Sequence, residues 1–419
     1  MLGQNKGDKL RVAFVGVGGI GGSHTGMAHS KGDICNCFCD VDTTRMENAS
    51  KRWPKAKAYQ DYREMFEKEK DNFDAVMVGV PDHHHYPATI LAMQMGKHCY
   101  TQKPLTHTIW EARELLKAYE ANPKLVTQMG NQGHANEGNR LMVEWVQQGK
   151  LGDIKEVHCW TNRPVWTQPR TTPEGADEIP ANLNWDCWIG PAPMRKFKKD
   201  IYHAFQWRGW WDFGGGALAD MACHTMDCVY WALDPGAPTK VEVIECTDMP
   251  EGNFPAKSRL KFTFPAKGDR PGFDFYWHDG GLKPDHPAHL EEGRDLPNTG
   301  ALFIGSNASL MSSGDYGDSP RIIPETKMQE IGKPEKTLDR SPGHYDEWRA
   351  ACLGEKPREF AKSNFSYSAP FSEVVLLGNL ALRAGKGNTF GWDSANLKVT
   401  GMDELNQYVN KEYREGWKF

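Results

Sequence analysis

Leu10-Arg-Val-Ala-Phe-Val15 runs straight into Gly16-Val-Gly18-Gly-Ile-Gly21-Gly22, and the next apolar run closes on Asp40. An apolar strand, glycines at this spacing and an acid about 20 residues further on describe a strand, turn and helix that hold a dinucleotide. Gly16 permits the tight turn, Gly18 lets backbone amides approach a pyrophosphate, and Gly21 lets the following helix pack closely on its strand. Gly19 and Ile20 complete the turn, and the phosphate sits on the helix N-terminus. A carboxylate at Asp40 accepts hydrogen bonds from both ribose hydroxyls and repels a 2′-phosphate, so NAD is expected in preference to NADP. Asp40 has a second reading, as the cap of the turn Asp40-Val-Asp42-Thr-Thr before the helix that follows.

Beyond the first helix, short apolar runs alternate with amphipathic ones. Stretches 75–80, 97–101 and 125–129 read as strands, and 86–95 and 108–120 as helices. The alternation predicts an α/β fold with a doubly wound parallel sheet whose ligand lies at the carboxyl ends of the strands. Polar sequences stand at those ends: Pro81-Asp82-His-His-His85, Gln102-Lys103-Pro104 and Asn131-Gln132. From residue 131 the pattern changes to a helix at 137–148 and strand-like runs at 154–162, 240–245, 258–264 and 272–277. These are not regularly separated by helices, which predicts a second sheet with mostly antiparallel pairing. The expected domains are therefore 8–130 for the dinucleotide and 131–419 for a second, α/β unit that carries substrate and subunit contacts. Stretch 266–300, crowded with Gly, Pro and Asp, reads as a long loop.

A chain of 419 residues with net charge -5 fits two domains and offers no basic surface for nucleic acid. No apolar stretch reaches the length of a membrane span. The polar start, Met1-Leu-Gly-Gln-Asn-Lys-Gly-Asp-Lys9, does not read as a secretory signal. The ten cysteines follow no framework pattern and suit a reduced, cytoplasmic setting. Cys35, Cys37 and Cys39 alternate as residues on one face of a strand would, and read as buried core positions instead of zinc ligands. Seven of the fifteen tryptophans fall at 160, 166, 185, 188, 207, 210 and 211. They read equally as aromatic packing or as flat faces for sugar rings, with two or three of them facing ligand.

The second decisive stretch is Gly214-Gly-Gly-Ala-Leu-Ala-Asp220-Met-Ala-Cys-His224-Thr-Met-Asp227. Asp220, His224 and Asp227 recur at i, i+4 and i+7 in an otherwise apolar run, which predicts one polar stripe on a buried helix. Such a stripe must be paired or functional. Hydride transfer from an alcohol needs a group that takes the hydroxyl proton and a cation that stabilises the alkoxide. His224, oriented by Asp220, suits the first task. Lys103, aimed into the crevice by the rigid turn at Pro104, suits the second. No metal site is expected, since neighbouring helical residues such as Cys223 and His224 point about 100° apart.

Taken together, the glycine turn, Pro81-Asp-His-His-His85, Gly96-Lys-His98, Lys103-Pro104 and the Asp220/His224 helix resemble the glucose-fructose oxidoreductase, inositol dehydrogenase and rhizopine catabolism family, Gfo/Idh/MocA. The resemblance covers about residues 10 to 235. It implies a Rossmann domain followed by an α/β domain with a large open sheet, homo-oligomers built on that sheet, and NAD(H) or NADP(H) chemistry on sugars or polyols. Carried onto this chain, it makes Lys103, Asp220 and His224 the catalytic set. Pro81, Asp82, His85, Gln102 and Asn131 fall on the nicotinamide side of the cofactor. Arg163, Tyr202, His203 and Arg208 are candidate substrate contacts. The family usually has Glu-Lys-Pro where this chain has Gln102-Lys103-Pro104, which keeps a hydrogen bond and removes a charge.

The expected activity is thus hydride transfer between NAD(H) and a hydroxyl or keto carbon of a sugar, glycoside or polyol. The alternative is a glycosidase or lyase that keeps its NAD and oxidises a glycoside transiently, as a related branch does. That branch carries a Tyr-Pro-Thr-His type motif where this chain has Asp220-Met-Ala-Cys-His224. Residues 202–213 are similar to a subgroup from bacteria that process complex carbohydrates, in which exported members are common; a periplasmic location is the alternative to the cytoplasmic one.

Overall fold

The computed structural model describes residues 9–418; most of the polar N-terminal stretch, residues 1–8, lies outside the described residues. Six strands, β1 (Val12–Val15), β2 (Cys37–Cys39), β3 (Lys57–Tyr59), β4 (Ala75–Val78), β5 (His98–Thr101) and β6 (Thr127–Met129), pair in parallel in the order β3-β2-β1-β4-β5-β6. This is the doubly wound dinucleotide order, with the ligand crevice at the strand ends beside β1 and β4. All four residues of β1 are buried because both sheet faces are covered. Ala13 and Val15 join one apolar cluster, and Val12 and Phe14 another. The helix Ile109–Ala121 starts on a capping box in which Thr108 and Glu111 exchange bonds between side chain and backbone.

The second sheet has nine strands: β7 (Ile154–Trp160), β8 (Lys240–Cys246), β9 (Ser258–Phe264), β10 (Phe273–His278), β11 (Gly300–Gly305), β12 (Ser309–Ser313), β13 (Asp318–Ile323), β14 (Thr389–Asp393) and β15 (Lys398–Thr400). Their order is β13-β12-β11-β7-β10-β9-β8-β14-β15, antiparallel except for the parallel pair β7 and β10. The irregular stretch expected over 266–300 is interrupted by β10. Its remainder lays Leu290 and Leu296 on Trp160, Leu302 and Ile323 of the sheet.

Residue 131 separates the two sheets but not the two cores. The helix His344–Cys352 returns to the first sheet, where Tyr345, Trp348 and Ala351 pack with Leu10, Val12 and Phe14. Asp33 fixes it there, accepting from Tyr345 Oη at 2.8 Å and from Arg349 Nε at 2.9 Å. The helix Phe365–Ala384 lies along Ile109–Ala121. A second correction concerns the cysteines. All three are buried, but Cys37 and Cys39 lie in one cluster and Cys35 in the other with Phe38, because the chain becomes a strand only at Cys37.

Candidate active site

A cleft of about 610 Å³ runs from the glycine turn across the junction of the two sheets to the Asp220/His224 helix. At its first end, Gly16 has φ +84 and a side chain there would meet the Gly79 carbonyl at 2.4 Å. Gly21 lies so close to β1 that a Cβ would meet the Gly16 carbonyl oxygen at 2.1 Å. Gly19, at φ +51, has open space in front of it and caps the helix Ile20–Ser30 without a side-chain bond, leaving N–H groups for a phosphate. Asp40 fastens this turn: Oδ2 accepts from Val17 N at 3.0 Å and Gly18 N at 3.2 Å, and Oδ1 from Asp42 N at 3.1 Å. Its burial raises the carboxyl pKa against these bonds. Asp40 therefore serves as a turn anchor and still lines the cleft. Arg45, which sequence reasoning missed, covers Gly18 and also lines the cleft. An open cradle of glycines, a free helix N-terminus and a carboxylate past β2 fit the dinucleotide expected from the sequence.

The strand-end polar residues divide between lining and locking. Pro81 and His85 line the cleft, yet both ring nitrogens of His85 lie on carbonyls, Pro104 O at 2.6 Å and Val80 O at 2.9 Å. Burial pulls its imidazole down to about 4. His83 and His84 both reach Trp188 O, at 3.1 and 3.0 Å, tying the crevice to the second domain. Gln102 pairs with His24 across 2.9 Å, and burial holds His24 at about 3, so the neutral imidazole accepts from the amide. Asn131 does not reach the cleft. It is fully buried, donating to Asp227 Oδ1 at 3.1 Å and accepting from Ser363 Oγ at 2.6 Å.

Lys103 Nζ donates to Asp220 Oδ1 at 2.9 Å and to its backbone carbonyl at 2.7 Å, and Arg208 Nε approaches the same Oδ1 at 3.2 Å. Burial alone would push the Asp220 carboxyl up; Lys103 and Arg208 outweigh it and hold it at about 2. Asp220 thus orients Lys103. The expected orientation of His224 by Asp220 is not seen: among the described residues no hydrogen bond joins them, because the two cations take the carboxylate. His224 instead packs edge-to-face with Tyr316, the ring centroids 4.8 Å apart, and its Nδ1 is buried without a hydrogen-bond partner among the described residues. Burial and the nearby Lys103 keep its imidazole well below the usual range, so it is neutral. Asp82 accepts from Gly215 N at 3.1 Å, just ahead of the helix Gly216–Thr225. Burial pushes its carboxyl up to about 7.

The polar stripe breaks after His224. The helix ends at Thr225 and a second begins at Asp227, whose carboxylate faces away from the cleft toward His134 at 3.0 Å and Tyr367 Oη at 2.7 Å. Of the candidate substrate contacts, Arg163, His203 and Arg208 line the cleft. His203 Nε2 also lies 3.0 Å from Asp42 Oδ2. Tyr202 does not line it: it is buried among Trp185, Trp210 and Phe213, an aromatic packing its sequence neighbours did not reveal. Trp166, Trp188 and Trp207 reach the cleft, whereas Trp185 and Trp210 fill the cluster behind it. Asp315 and Tyr316, from the β12–β13 turn, complete the wall and carried no sequence signal.

A dinucleotide cradle joined to an open-sheet domain, with a lysine-carboxylate pair and a neutral histidine at the junction, defines a nicotinamide-dependent oxidoreductase fold. The family descriptions "Oxidoreductase family, NAD-binding Rossmann fold" and "Oxidoreductase family, C-terminal alpha/beta domain" match residues 10–129 and 151–265. The chain belongs to the Gfo/Idh/MocA oxidoreductase family, and its first domain is an NAD-binding Rossmann domain. Among curated proteins it is similar to an alpha-N-acetylgalactosaminidase of Shewanella oneidensis and a glycosyl hydrolase family 109 protein of Shewanella putrefaciens, each 28% identical over 159 residues. The match spans 36% of this chain and 34% of theirs. Among solved structures it superposes on the WlbA dehydrogenase of Chromobacterium violaceum in complex with NADH and UDP-GlcNAcA, with TM-score 0.65, 19% identity and coverage of 93% of this chain and 97% of that one. A levoglucosan dehydrogenase in complex with NADH and L-sorbose gives TM-score 0.59 at 14% identity, covering 92% and 99%. At these identities the superpositions show the fold.

Proposed function

We propose that this protein transfers a hydride between NAD(H) and a hydroxyl or keto carbon of a sugar, glycoside or polyol. The observation that carries the reading is the gathering of Lys103, Asp220 and neutral His224 at the cleft end opposite the glycine turn. A neutral imidazole has a nitrogen lone pair to take a hydroxyl proton, and His224 is kept in that form by burial. Lys103, fixed by Asp220, presents an ammonium that stabilises the developing alkoxide. Bound NAD supplies the hydride acceptor. The glycine turn, Asp40, Pro81, Asp82, His85 and Gln102 form its groove, and Arg163, His203 and Arg208 flank the substrate end.

A second reading, a glycosidase that retains NAD and oxidises its substrate transiently, is favoured by the matched segment of the family 109 relatives. One experiment separates the two. Nucleotide released on denaturation is identified by mass, and the native protein is then given a panel of glycosides and polyols with and without added NAD. NADH formation that requires both NAD and sugar supports the oxidoreductase. Stoichiometric retained nucleotide with glycoside cleavage and no net NADH supports the glycosidase.

The open nine-stranded sheet supports a homo-oligomer, which light scattering tests. The ten cysteines follow no framework pattern, which supports a cytoplasmic setting. No helix among the described residues is long and apolar enough to cross a membrane.

A further inference from the structure

The wall that faces His224 comes from a segment that neither the glycine turn nor the catalytic helix explains. The turn between β12 and β13 holds Gly314 at φ +78 and Gly317 at φ +73, with Asp315 and Tyr316 at its tip. Both glycines are sterically required. A Cβ on Gly314 would meet Asp318 Oδ2 at 2.3 Å, and one on Gly317 would meet Asn139 Oδ1 at 1.9 Å. The tip is also fastened from behind, where Asn136 Nδ2 donates to the Tyr316 carbonyl at 3.3 Å and the Tyr316 ring lies over Gly133. A turn so fixed presents its two side chains to the cleft as rigidly as a helix would.

Asp315 Oδ2 accepts from Arg163 at 3.4 Å, a long contact between two partly exposed side chains that both line the cleft. Asp315 Oδ1 is buried and has no hydrogen-bond partner among the described residues. The pair thus offers the Asp315 carboxylate as an acceptor beside the Arg163 guanidinium, which also donates to Asn162 Oδ1, and this suits adjacent hydroxyls of one sugar ring.

The charges around this pair decide which sugars fit. Among the described residues, Lys103 and Arg208 share the one carboxylate of Asp220 at the Gly216–Thr225 helix, whereas Arg163 at the β12–β13 wall is matched one to one by Asp315. A substrate carboxylate or phosphate held at this wall would find its cation already matched, and Asp315 would repel it. We infer that the Asp315/Tyr316 turn, with Arg163, selects neutral sugars through adjacent hydroxyls and rejects uronates and sugar phosphates. Tyr316 contributes the ring edge that fixes His224 beside them. The inference rests on the proposed action on sugars, and names the class within it.

The test uses matched pairs on the NAD-loaded protein: methyl glucoside against methyl glucuronide, and glucose against glucose 6-phosphate. NADH formation or glycoside cleavage is followed, together with quenching of the tryptophan fluorescence as a binding readout. The neutral member of each pair is expected to win by at least tenfold in kcat/KM or in Kd. Asp315→Asn is expected to shrink that ratio by at least threefold, through tighter binding of the charged member. Equal or preferred use of the charged member overturns the inference and leaves the action on sugars standing, as does an unchanged ratio in Asp315→Asn. Neither binding nor turnover of any member overturns both.

Discussion

Lys103 and Asp220, separated by more than a hundred residues in sequence, meet at 2.9 Å across the domain junction, and Arg208 approaches the same carboxylate oxygen at 3.2 Å. The carboxylate is therefore what fixes Lys103 at the cleft, and in the proposed reaction it holds the ammonium toward the substrate. Asp220→Asn leaves two cations facing an uncharged amide. Steady-state kinetics are expected to show kcat/KM reduced by about 10²-fold or more, with NAD affinity nearly unchanged. Lys103→Met should cost at least as much.

The pH dependence of the rate separates His224 from Asp82. His224 is already neutral below its ordinary range, so it contributes no acid limb near 6.5. Burial places the Asp82 carboxyl at about 7, within reach of the charges of Lys103 and Arg208. A limb in kcat/KM near pH 7 is expected in the wild-type protein and should vanish in Asp82→Asn. His224→Ala should lower kcat by about 10²–10⁴-fold at every pH.

Two glycines of the turn are required for different reasons. Gly21→Ala drives a methyl group into the Gly16 carbonyl and forces the helix off β1, an overpacking cost of about 1–3 kcal/mol. Calorimetry should show the lower Tm together with weakened NAD binding. Gly19→Ala meets no atom within 4 Å and carries only its positive φ. Its cost should be about 1–3 kcal/mol from backbone strain alone, because φ 51 with ψ -123 lies outside the left-handed helical region.

Gln102→Glu restores the acid usual in the family and tests the His24 pairing. A carboxylate can only accept, so His24 must move its proton to Nε2. Its Nδ1, buried without a partner, then becomes a bare acceptor. Nitrogen chemical shifts of His24 should report the exchanged tautomer, with the fold retained.

Asp279 gives a stability test away from the cleft. Burial pushes its carboxyl to about 7 although Ser258 and Trp277 donate to it. The unfolded chain ionises near 4, so between about pH 4 and 7 the unfolded state loses a proton that the folded state keeps. The contribution is fully present below that window and is lost as pH rises through 7. Urea unfolding should show stability falling across this range by on the order of 2–4 kcal/mol from this group. In Asp279→Asn the corresponding slope should be missing.

The first domain was legible because its signals are local. Strand, glycine spacing and the acid of Asp40 lie within one βαβ unit, and Gly21 is required by the Gly16 carbonyl of that same unit. The second sheet was legible only in part. β7 to β10 announce themselves by alternation, whereas β11 is a short apolar run after a Gly/Pro-rich stretch and β12 to β15 are short strands whose pairing is set by distant neighbours. That Lys103, Asp220 and His224 stand at one cleft was legible. Their partners were not, since spacing at i and i+4 puts two side chains on one helix face without saying which cation will reach that face from another domain.

By itself the sequence determined the dinucleotide cradle, the doubly wound sheet and the chemistry available at Lys103 and His224, because these depend on backbone conformation and side-chain type within short segments. Only the tertiary structure decided that Asp220 serves Lys103, that Asp227 and Asn131 belong to a buried network, that Tyr202 is packing, and that Asp315 and Tyr316 face His224. Those outcomes depend on which charges and rings are desolvated together when the two sheets close on one another, and that is fixed by contacts between residues far apart in the chain.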